Sequence, residues 1–295
     1  MQIKDKRVIV TGAANDLGLA FSRELLRNGA LIIALIDIQQ SLGEQAVENL
    51  NNEFGRKRAI FLHCDMTNNS EFDATFKEAI NILGGLDILI NNVDVINEIN
   101  FSKAIDINVT TVIRGTLLGI QQMRKDSGGK GGVIVNISSI AGLRAASHLP
   151  VYSATKHAVV SFSRSFADPY HYEKTGVTVI TLCPGLTETA LTVDSPNKLL
   201  SRVMKADFVK NLEQFSIQTP YVVAQGLMTI LRIGESGSIW VIENGRAPYE
   251  IYVPNPQTLR RYYKNNFSYV DIKVVKGRAI REVCDNSRTG LMSCA

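Results

Sequence analysis

Residues 7–37, RVIVTGAANDLGLAFSRELLRNGALIIALID, contain the pattern from which the fold can be predicted. The β-branched run at 7–10 predicts a strand, which leads into a turn of small residues at 12–18 and then a helical pattern. A continuous apolar run at 31–36 is typical of a strand that is covered on both faces. A strand, a glycine turn, a helix and a second strand that ends at Asp37 together make up a dinucleotide-binding unit.

The alternation of strands and helices continues to about residue 245. Further strands are predicted at 58–63, 86–90, 133–137, 177–182 and 238–242, and helices at 41–54, 70–83, 101–125, from Tyr152 to a kink or stop at Asp168-Pro169, and at 219–233. Only residues 184–216 lack a clear period. This pattern predicts an α/β fold with one doubly wound parallel sheet and helices on both faces. We assign residues 1–250 to this Rossmann domain and 251–295 to a basic C-terminal extension.

Charge is unevenly distributed along the 295 residues. Residues 256–295 hold eight Lys and Arg against three Asp and Glu, whereas the whole chain carries a net charge of +4. In this tail the aromatic residues are interleaved with basic ones, namely Tyr262, Tyr263, Phe267 and Tyr269 with Arg260, Arg261 and Lys264. This composition is compatible with an anionic partner, but no nucleic-acid motif is present. We favour an extension that packs over the domain or over a partner subunit, and we expect no nucleic-acid partner.

The four cysteines, Cys64, Cys183, Cys284 and Cys294, match neither a metal-ligand spacing nor a disulfide framework. We therefore expect no metal site. No secretory signal fits before the first strand, and no apolar run approaches the length of a membrane span. The expected location is the cytoplasm.

The glycine turn and Asp37 predict the cofactor. Small residues allow backbone N–H groups to approach a pyrophosphate, and the helix N-terminus adds partial positive charge. Asp37 lies nineteen residues after Gly18, where a carboxylate accepts hydrogen bonds from a ribose 2′-hydroxyl. Its charge would repel a 2′-phosphate, so NAD is favoured over NADP. The alternative is that Asp37 caps the next helix, but the turn and the acid occurring together favour the cofactor interpretation.

Polar residues also follow two other predicted strands, at Cys64-Asp65-Met66 and Asn91-Asn92. Ligands bind at the carboxyl ends of the strands in such sheets. Asp65 is therefore placed to accept a hydrogen bond from an adenine amino group, and Met66 to pack against the ring. Taken singly, each of these residues is more often found in an ordinary turn.

Tyr152 and Lys156 are spaced i and i+4 at the start of a predicted helix, so both side chains lie on one face. A phenol has a pKa of about 10, and a fixed ammonium nearby lowers it. Ser139 lies thirteen residues upstream at a strand end, where its hydroxyl can bind a substrate oxygen. This set predicts acid–base chemistry on an alcohol or a carbonyl. The same Tyr-x-x-x-Lys spacing at Tyr170/Lys174 and Tyr269/Lys273 lacks such a serine, and we interpret both pairs as ordinary helix surface.

Taken together, these residues resemble the short-chain dehydrogenase/reductase family over roughly residues 5–245. The resemblance rests on Gly12 and Gly18, Asp37, Asp65, Asn91-Asn92, Asn108, Ser139, Tyr152, Lys156 and Pro184-Gly185. Within the family, the runs at 107–123 and 151–169 are most similar to NAD-dependent 15-hydroxyprostaglandin dehydrogenases and insect alcohol dehydrogenases.

The resemblance implies a role for each matching residue. Tyr152 is the acid–base, Lys156 lowers its pKa and holds the nicotinamide ribose, Ser139 orients the substrate, and Asn108 supports a water-linked proton path. The residues implied at the cofactor are Gly12, Asn15, Asp16, Leu17, Gly18, Asp37, Asp65, Met66, Asn92, Tyr152, Lys156, Pro184, Gly185, Thr187 and Thr189. The resemblance further implies NAD, hydride transfer to or from an alcohol carbon, and a homodimer formed through the helices at 101–125 and 152–170.

The chain departs from the family pattern at three positions. Asp16 and Asp94 stand where the family has glycines, and a carboxylate about 5 Å from a phosphate would weaken cofactor binding by about 3 kcal/mol at an effective dielectric of about 20. Leu149 replaces a glutamine of the prostaglandin dehydrogenases, which favours a more apolar alcohol. Two hypotheses stay open: an active NAD-dependent dehydrogenase for a secondary alcohol or hydroxy-lipid, and an impaired relative that serves as a storage or binding protein.

Overall fold

The computed structural model describes residues 1–212, 216–254, 269–275 and 278–284. The chain divides into two compact units, Met1–Ile251 and Tyr252–Ala295. The first unit contains the predicted α/β fold and all the site residues named above.

Within the described residues, one eight-stranded sheet has the order β3-β2-β1-β4-β5-β6-β7-β8. Its strands are β1 (Arg7–Thr11), β2 (Ile32–Asp37), β3 (Ala59–His63), β4 (Ile88–Asn91), β5 (Gly132–Ile137), β6 (Val177–Pro184), β7 (Ile239–Ile242) and β8 (Tyr249–Glu250). The pairs from β3 through β7 are parallel, and β8 adds an antiparallel edge. The predicted doubly wound fold is confirmed. The sheet is not wholly parallel, because the short strand β8, which was not predicted, pairs antiparallel with β7.

The helices are α1 (Asp16–Arg27), α2 (Gln40–Phe54), α3 (Asn69–Leu83), α4 (Phe101–Ile105), α5 (Thr111–Met123), α6 (Pro150–Arg164), α7 (Pro169–Thr175), α8 (Ala190–Asp194), α9 (Arg202–Leu212) and α10 (Pro220–Ile233). The long helix predicted at 101–125 is confirmed in that the chain is helical from α4 through α5, but the π-helical residues Asp106–Thr110 between them were not predicted. The stop predicted at Asp168-Pro169 is confirmed, since α6 ends at Arg164 and α7 begins at Pro169. Residues 184–216, which lack a clear period, contain α8 and α9.

Apolar side chains bury both faces of the sheet. On one face, Phe21 of α1 and Leu227 of α10 pack against Val10 and Leu35. On the other face, Phe72 and Phe76 of α3 belong to a second cluster. The central strands are therefore covered on both faces, which explains why their sequences are continuous apolar runs and not alternating ones.

Strand β1 lies between β2 and β4, so the chain runs outward from β1 to β2 and β3 and then crosses back to β4 on the other side of β1. A crevice opens at the carboxyl ends of the strands where the strand order reverses in this way, and ligands of such sheets bind there. The residues that follow β1, β2, β3, β4, β5 and β6 all line one cavity.

In the second unit, β9 (Tyr269–Val275) and β10 (Arg278–Cys284) pair antiparallel with Tyr269 opposite Cys284. The interpretation of Tyr269/Lys273 as helix surface was therefore wrong, whereas Tyr170/Lys174 does lie on helix α7. The predicted packing of the tail and its basic aromatic segment at 260–267 lie outside the described residues. Within the part of the chain that the structure describes, no helix has the length and apolar character to span a membrane.

Candidate active site

The glycine turn after β1 is fixed by close backbone packing. Gly12 has a positive φ of 62°, and a Cβ there would lie 2.9 Å from Val93 Cα. A Cβ on Gly18 would lie 2.2 Å from the carbonyl oxygen of Gly12. Asn92 holds the turn from the neighbouring strand, because its Nδ2 donates to the carbonyl oxygens of Thr11 at 3.1 Å and Gly12 at 2.8 Å. Neither glycine position accepts a larger residue, as a turn that admits a pyrophosphate requires.

Asp37 is buried at the end of β2, and its carboxylate faces the turn. Oδ2 accepts a hydrogen bond from the backbone N–H of Ala14 and Oδ1 from that of Gln39, both at 3.0 Å. An ionised carboxylate has about four acceptor positions, so two remain for the hydroxyls of a ribose. The helix-cap alternative explains only the Gln39 bond, whereas the Ala14 bond ties Asp37 to the glycine turn.

Asp65 and Met66 line the same cavity beyond β3. Asp65 Oδ1 accepts from Thr67 Oγ1 at 2.7 Å and from its backbone N–H at 3.0 Å, and these two bonds hold the pKa of Asp65 below its usual value. Asp65 therefore remains an anionic acceptor at neutral pH, as the adenine role requires, and it also forms the ordinary turn that was the alternative.

The opposite wall of the cavity follows β6. Thr187 Oγ1 donates to the carbonyl oxygen of Gly185 at 2.9 Å, and Thr189 caps α8. Asp16, at the start of α1, has a positive φ of 46°, and its Oδ2 accepts from the backbone N–H of Ala190 at 3.0 Å. Asp16 thus joins the glycine turn to the segment after β6, across the groove in which a pyrophosphate would lie.

Helix α6 brings Tyr152 and Lys156 to one face, as predicted. Ser139 lowers the pKa of the Tyr152 hydroxyl in opposition to burial, and the Lys156 ammonium lies 5.5 Å from the centroid of the Tyr152 ring. Ser139 also caps the short turn Ile140–Gly142 through a 3.1 Å bond from the backbone N–H of Ala141. Ser139, Tyr152 and Lys156, three of the four predicted catalytic side chains, therefore meet at one place.

A buried carboxylate that the sequence did not reveal positions helix α6. Glu98 is 2% exposed, and its two oxygens accept from the backbone N–H groups of Val151 and Tyr152, each at 2.8 Å. These are orphan donors of the first helical turn, and a negative charge at a helix N-terminus is favourable. Glu98 lies more than fifty residues before Tyr152, so no local motif could have identified it.

Asp94 contacts both predicted catalytic side chains of α6. Its Oδ2 accepts a hydrogen bond from the Tyr152 hydroxyl at 2.8 Å, and its Oδ1 forms an ion pair with Lys156 Nζ at 3.0 Å. From the sequence, this carboxylate was expected to act on a cofactor phosphate, whereas in the structure both its oxygens contact side chains of α6. Asn92, two residues before Asp94, is held against the glycine turn by its hydrogen bond to the Gly12 carbonyl oxygen. Asp94 lies beyond this anchor, at the end of the cavity that contains Tyr152.

The pKa of Tyr152 is shifted in the direction opposite to the prediction. Burial first, and then the charge and hydrogen bond of Asp94, raise the pKa of Tyr152 well above its usual value, against a smaller opposing effect of Ser139. Burial also raises the pKa of Asp94, although Lys156 opposes this shift. The expected lowering of the Tyr152 pKa was therefore wrong for this arrangement, because burial and Asp94 raise it, while the Lys156 ammonium is paired with Asp94.

Asn108 holds the chain behind the site. Its Oδ1 accepts from the backbone N–H of Val95 at 2.9 Å, and its Nδ2 donates to the Val95 carbonyl oxygen at 2.8 Å and to Thr155 Oγ1 at 3.1 Å. Asn108 thus fixes the residue next to Asp94. Its predicted part in a proton path stays a prediction.

The glycine turn, Asp37, Asp65, Asp94, Ser139 and Tyr152 line one cavity of about 1080 Å³. Its lining includes every predicted cofactor residue except Gly18 and Lys156, which lie behind it. One end carries the glycine turn, Asp37 and Asp65, and these donors and acceptors fit an adenosine. The other end carries Ser139 and Tyr152 beside an apolar cluster of Ile96, Ala141, Leu149, Leu199 and the Tyr152 ring. In the described part of the chain, no group of acidic, His or Cys residues could hold a metal ion.

Comparison with known proteins agrees with this geometry. The family model described as short chain dehydrogenase matches residues 6–199, which is more than half of the chain. The chain belongs to the short chain dehydrogenase family. It is 36% identical over 234 residues to the 15-hydroxyprostaglandin dehydrogenase [NAD(+)] of Homo sapiens, covering 78% of this chain and 88% of that enzyme. To alcohol dehydrogenase 1 of Ceratitis capitata it is 29% identical over 245 residues, which is 83% of this chain and 94% of that one.

Solved structures of this short chain dehydrogenase fold superpose on the chain. Levodione reductase matches with a TM-score of 0.71 at 21% identity, over 82% of this chain and 97% of that one. A short chain dehydrogenase/reductase from Burkholderia phymatum, solved in complex with NAD, matches with a TM-score of 0.68 at 20% identity, over 79% of this chain and 87% of that one. At these identities the two structures support the fold alone.

Proposed function

We propose that this short chain dehydrogenase is an NAD-dependent oxidoreductase that interconverts an alcohol and its carbonyl. The observation that carries the proposal is one continuous cavity with a glycine turn and Asp37 at one end and Ser139 and Tyr152 at the other, with Lys156 buried behind the cavity and beside the Tyr152 ring. The carboxylate of Asp37 favours a free ribose 2′-hydroxyl, and therefore NAD over NADP. The relatives named as NAD(+) enzymes support the same cofactor.

NAD supplies the hydride acceptor when it is bound. The side chains of this protein do the rest: Ser139 orients the substrate oxygen, and Tyr152 exchanges a proton with it. Lys156 holds ribose hydroxyls once Asp94 has released it. Burial and the contact with Asp94 both raise the pKa of Tyr152, so breaking that contact removes part of the shift and makes the phenol a better base.

The substrate class follows from the apolar end of the cavity. Leu149, Ile96, Ala141 and Leu199 surround the Tyr152 ring, and Phe208 and Met204 pack against them. An apolar surface of this kind favours a secondary alcohol or a hydroxy-lipid with little polarity near the reacting carbon. Leu149 cannot form the hydrogen bond of an amide, so a prostaglandin is a poor candidate.

We further propose a cytoplasmic homodimer. The exposed side chains of Phe101, Ile105 and Leu117, on α4 and α5, support pairing through this face. Sedimentation at several protein concentrations tests the dimer.

The test of the proposed activity is NADH formation with a panel of secondary alcohols. Tyr152→Phe removes the transferable proton and is expected to abolish turnover. Tyr170→Phe is the matched control, since Tyr170 has the same spacing to a lysine but lies 63% exposed on α7. Equal activity of Tyr152→Phe and wild type would overturn the mechanism.

A second candidate function is binding without turnover. The contacts of Asp94 with the Tyr152 hydroxyl and with Lys156 favour it, because both catalytic groups already have a partner. It predicts saturable binding of NAD or of an apolar alcohol, with no NADH formed from any alcohol of the panel.

A further inference from the structure

Asp94 separates the cavity from the lysine of the catalytic helix. Asp94 lines the cavity, whereas the Lys156 side chain is fully buried and does not. The carboxylate therefore lies between the ammonium and any ligand. A ribose that is to bind Lys156 and the Tyr152 hydroxyl must first replace Asp94 at both.

The other end of the groove has no such competition. Asp37 retains acceptor positions, and Asp65 and Met66 line an open wall. The contacts described there do not involve Asp94. The two ends of a dinucleotide thus meet different sites: the adenosine enters a preformed site, whereas the far ribose must break a hydrogen bond and an ion pair.

We propose that Asp94 determines nucleotide selectivity, so that the groove binds ADP nearly as well as NAD. This inference rests on the proposed function, because it assumes that the cavity accepts an adenine nucleotide. Breaking hydrogen bonds to a charged group offsets what the ribose gains from Tyr152 and Lys156. The expected penalty is about 10- to 100-fold in the affinity for NAD, with little effect on ADP.

Two substitutions distinguish the charge of Asp94 from its volume. Asp94→Gly removes both contacts and gives the residue that the family has at this position. Asp94→Asn keeps the size and can still accept the Tyr152 hydrogen bond, but it loses the ion pair with Lys156. If charge dominates, the asparagine variant recovers most of the NAD affinity, and the glycine variant recovers it in full.

The experiment is calorimetric titration of the full chain with NAD and with ADP. Asp126→Asn serves as the control, since Asp126 forms an exposed ion pair with Arg124 far from the cavity lining. We expect Asp94→Gly to bind NAD about 10- to 100-fold more tightly than wild type and to bind ADP within a factor of about three. An equal change for both nucleotides, or none for NAD, would overturn the inference while leaving the proposed cofactor intact.

A spectroscopic readout checks the same contact without nucleotide. The ultraviolet absorbance of tyrosinate follows Tyr152 when each Asp94 variant is compared with the same variant carrying Tyr152→Phe. Loss of Asp94 should bring ionisation of Tyr152 to lower pH, because one cause of the raised pKa is removed. An unchanged titration would show that Asp94 does not control Tyr152. Absence of binding of both nucleotides to every variant would refute the proposed function itself.

Discussion

Glu98 provides a severe test of how the catalytic helix is positioned. Substitution by alanine removes both acceptors of the Val151 and Tyr152 N–H groups and leaves these buried donors unpaired. A hydrogen bond to a charged group contributes roughly 1.5–3 kcal/mol, so two bonds amount to about 3–6 kcal/mol. Because burial of the carboxylate is itself unfavourable, we expect the lower part of this range, about 3–4 kcal/mol.

Thermal unfolding and urea unfolding measure this loss. For a chain of this size, 1 kcal/mol lowers Tm by roughly 2–4 °C, so Glu98→Ala should lower Tm by about 6–16 °C. Glu98→Gln keeps one acceptor oxygen and should lose about half as much stability. The control is Asp168→Ala, which removes the exposed cap of α7 and should cost about 1 kcal/mol.

Substitution of Glu98 should also lower catalytic activity, because Glu98 accepts a hydrogen bond from the backbone N–H of Tyr152. We expect kcat to fall in Glu98→Gln while KM for NAD changes little, since Glu98 contacts no predicted cofactor residue except Tyr152. A Glu98→Ala variant within about 0.5 kcal/mol of wild type would refute the proposed role of this carboxylate.

The other predictions concern residues around the site. Asp16→Gly should tighten NAD and ADP equally, by about tenfold, because Asp16 crosses the pyrophosphate groove that both ligands share; a gain for NAD alone in calorimetry would contradict this. Cys64 and Cys183 should resist thiol reagents at neutral pH until urea unfolds the chain, since burial raises their pKa values to about 11 and about 12; rapid native-state labelling would contradict their burial. Leu149→Gln should lower kcat/KM for apolar secondary alcohols relative to hydroxy-lipids with further polar groups, and an unchanged ratio would exclude residue 149 from substrate selection.

Much of the fold follows from local sequence. The glycine turn, the doubly covered apolar strands and the regular alternation predicted the strand positions to within a few residues. The structure departs from this pattern where local signals are weak. The two-residue strand β8 is too short to show a period, and α8 and α9 lie among mixed residues at 184–216. The π-helical interruption at Asp106–Thr110 lies inside a helical pattern that shows no break.

The sequence predicted site residues that belong to a family motif, and most of them line one cavity, whereas it did not reveal residues that are paired over long sequence distances. Asn91 and Asn136 form a buried hydrogen-bond network with Thr116 and Ser163 that joins β4 and β5 to the helices behind them. Like Glu98, these polar residues are paired only in three dimensions. These pairings could not be predicted, because a single sequence does not reveal which strands and helices are neighbours.

Asp94 shows most clearly what sequence reasoning lacked. Its carboxylate was recognised as a departure, but the effect was assigned to repulsion of a phosphate. Because Asp94 is hydrogen-bonded to Tyr152 and paired with Lys156, we infer that it competes with the cofactor for these two side chains. No spacing rule places residue 94 beside residues 152 and 156, because the contact depends on the segment after β4 lying against α6.

The most direct test of the whole account is NAD reduction by the full chain and three variants with one secondary alcohol. We predict that Asp94→Gly exceeds wild type, and that adding Tyr152→Phe to either background removes the activity. Activity that survives without the Tyr152 hydroxyl would contradict the assignment of the proton chemistry to this residue.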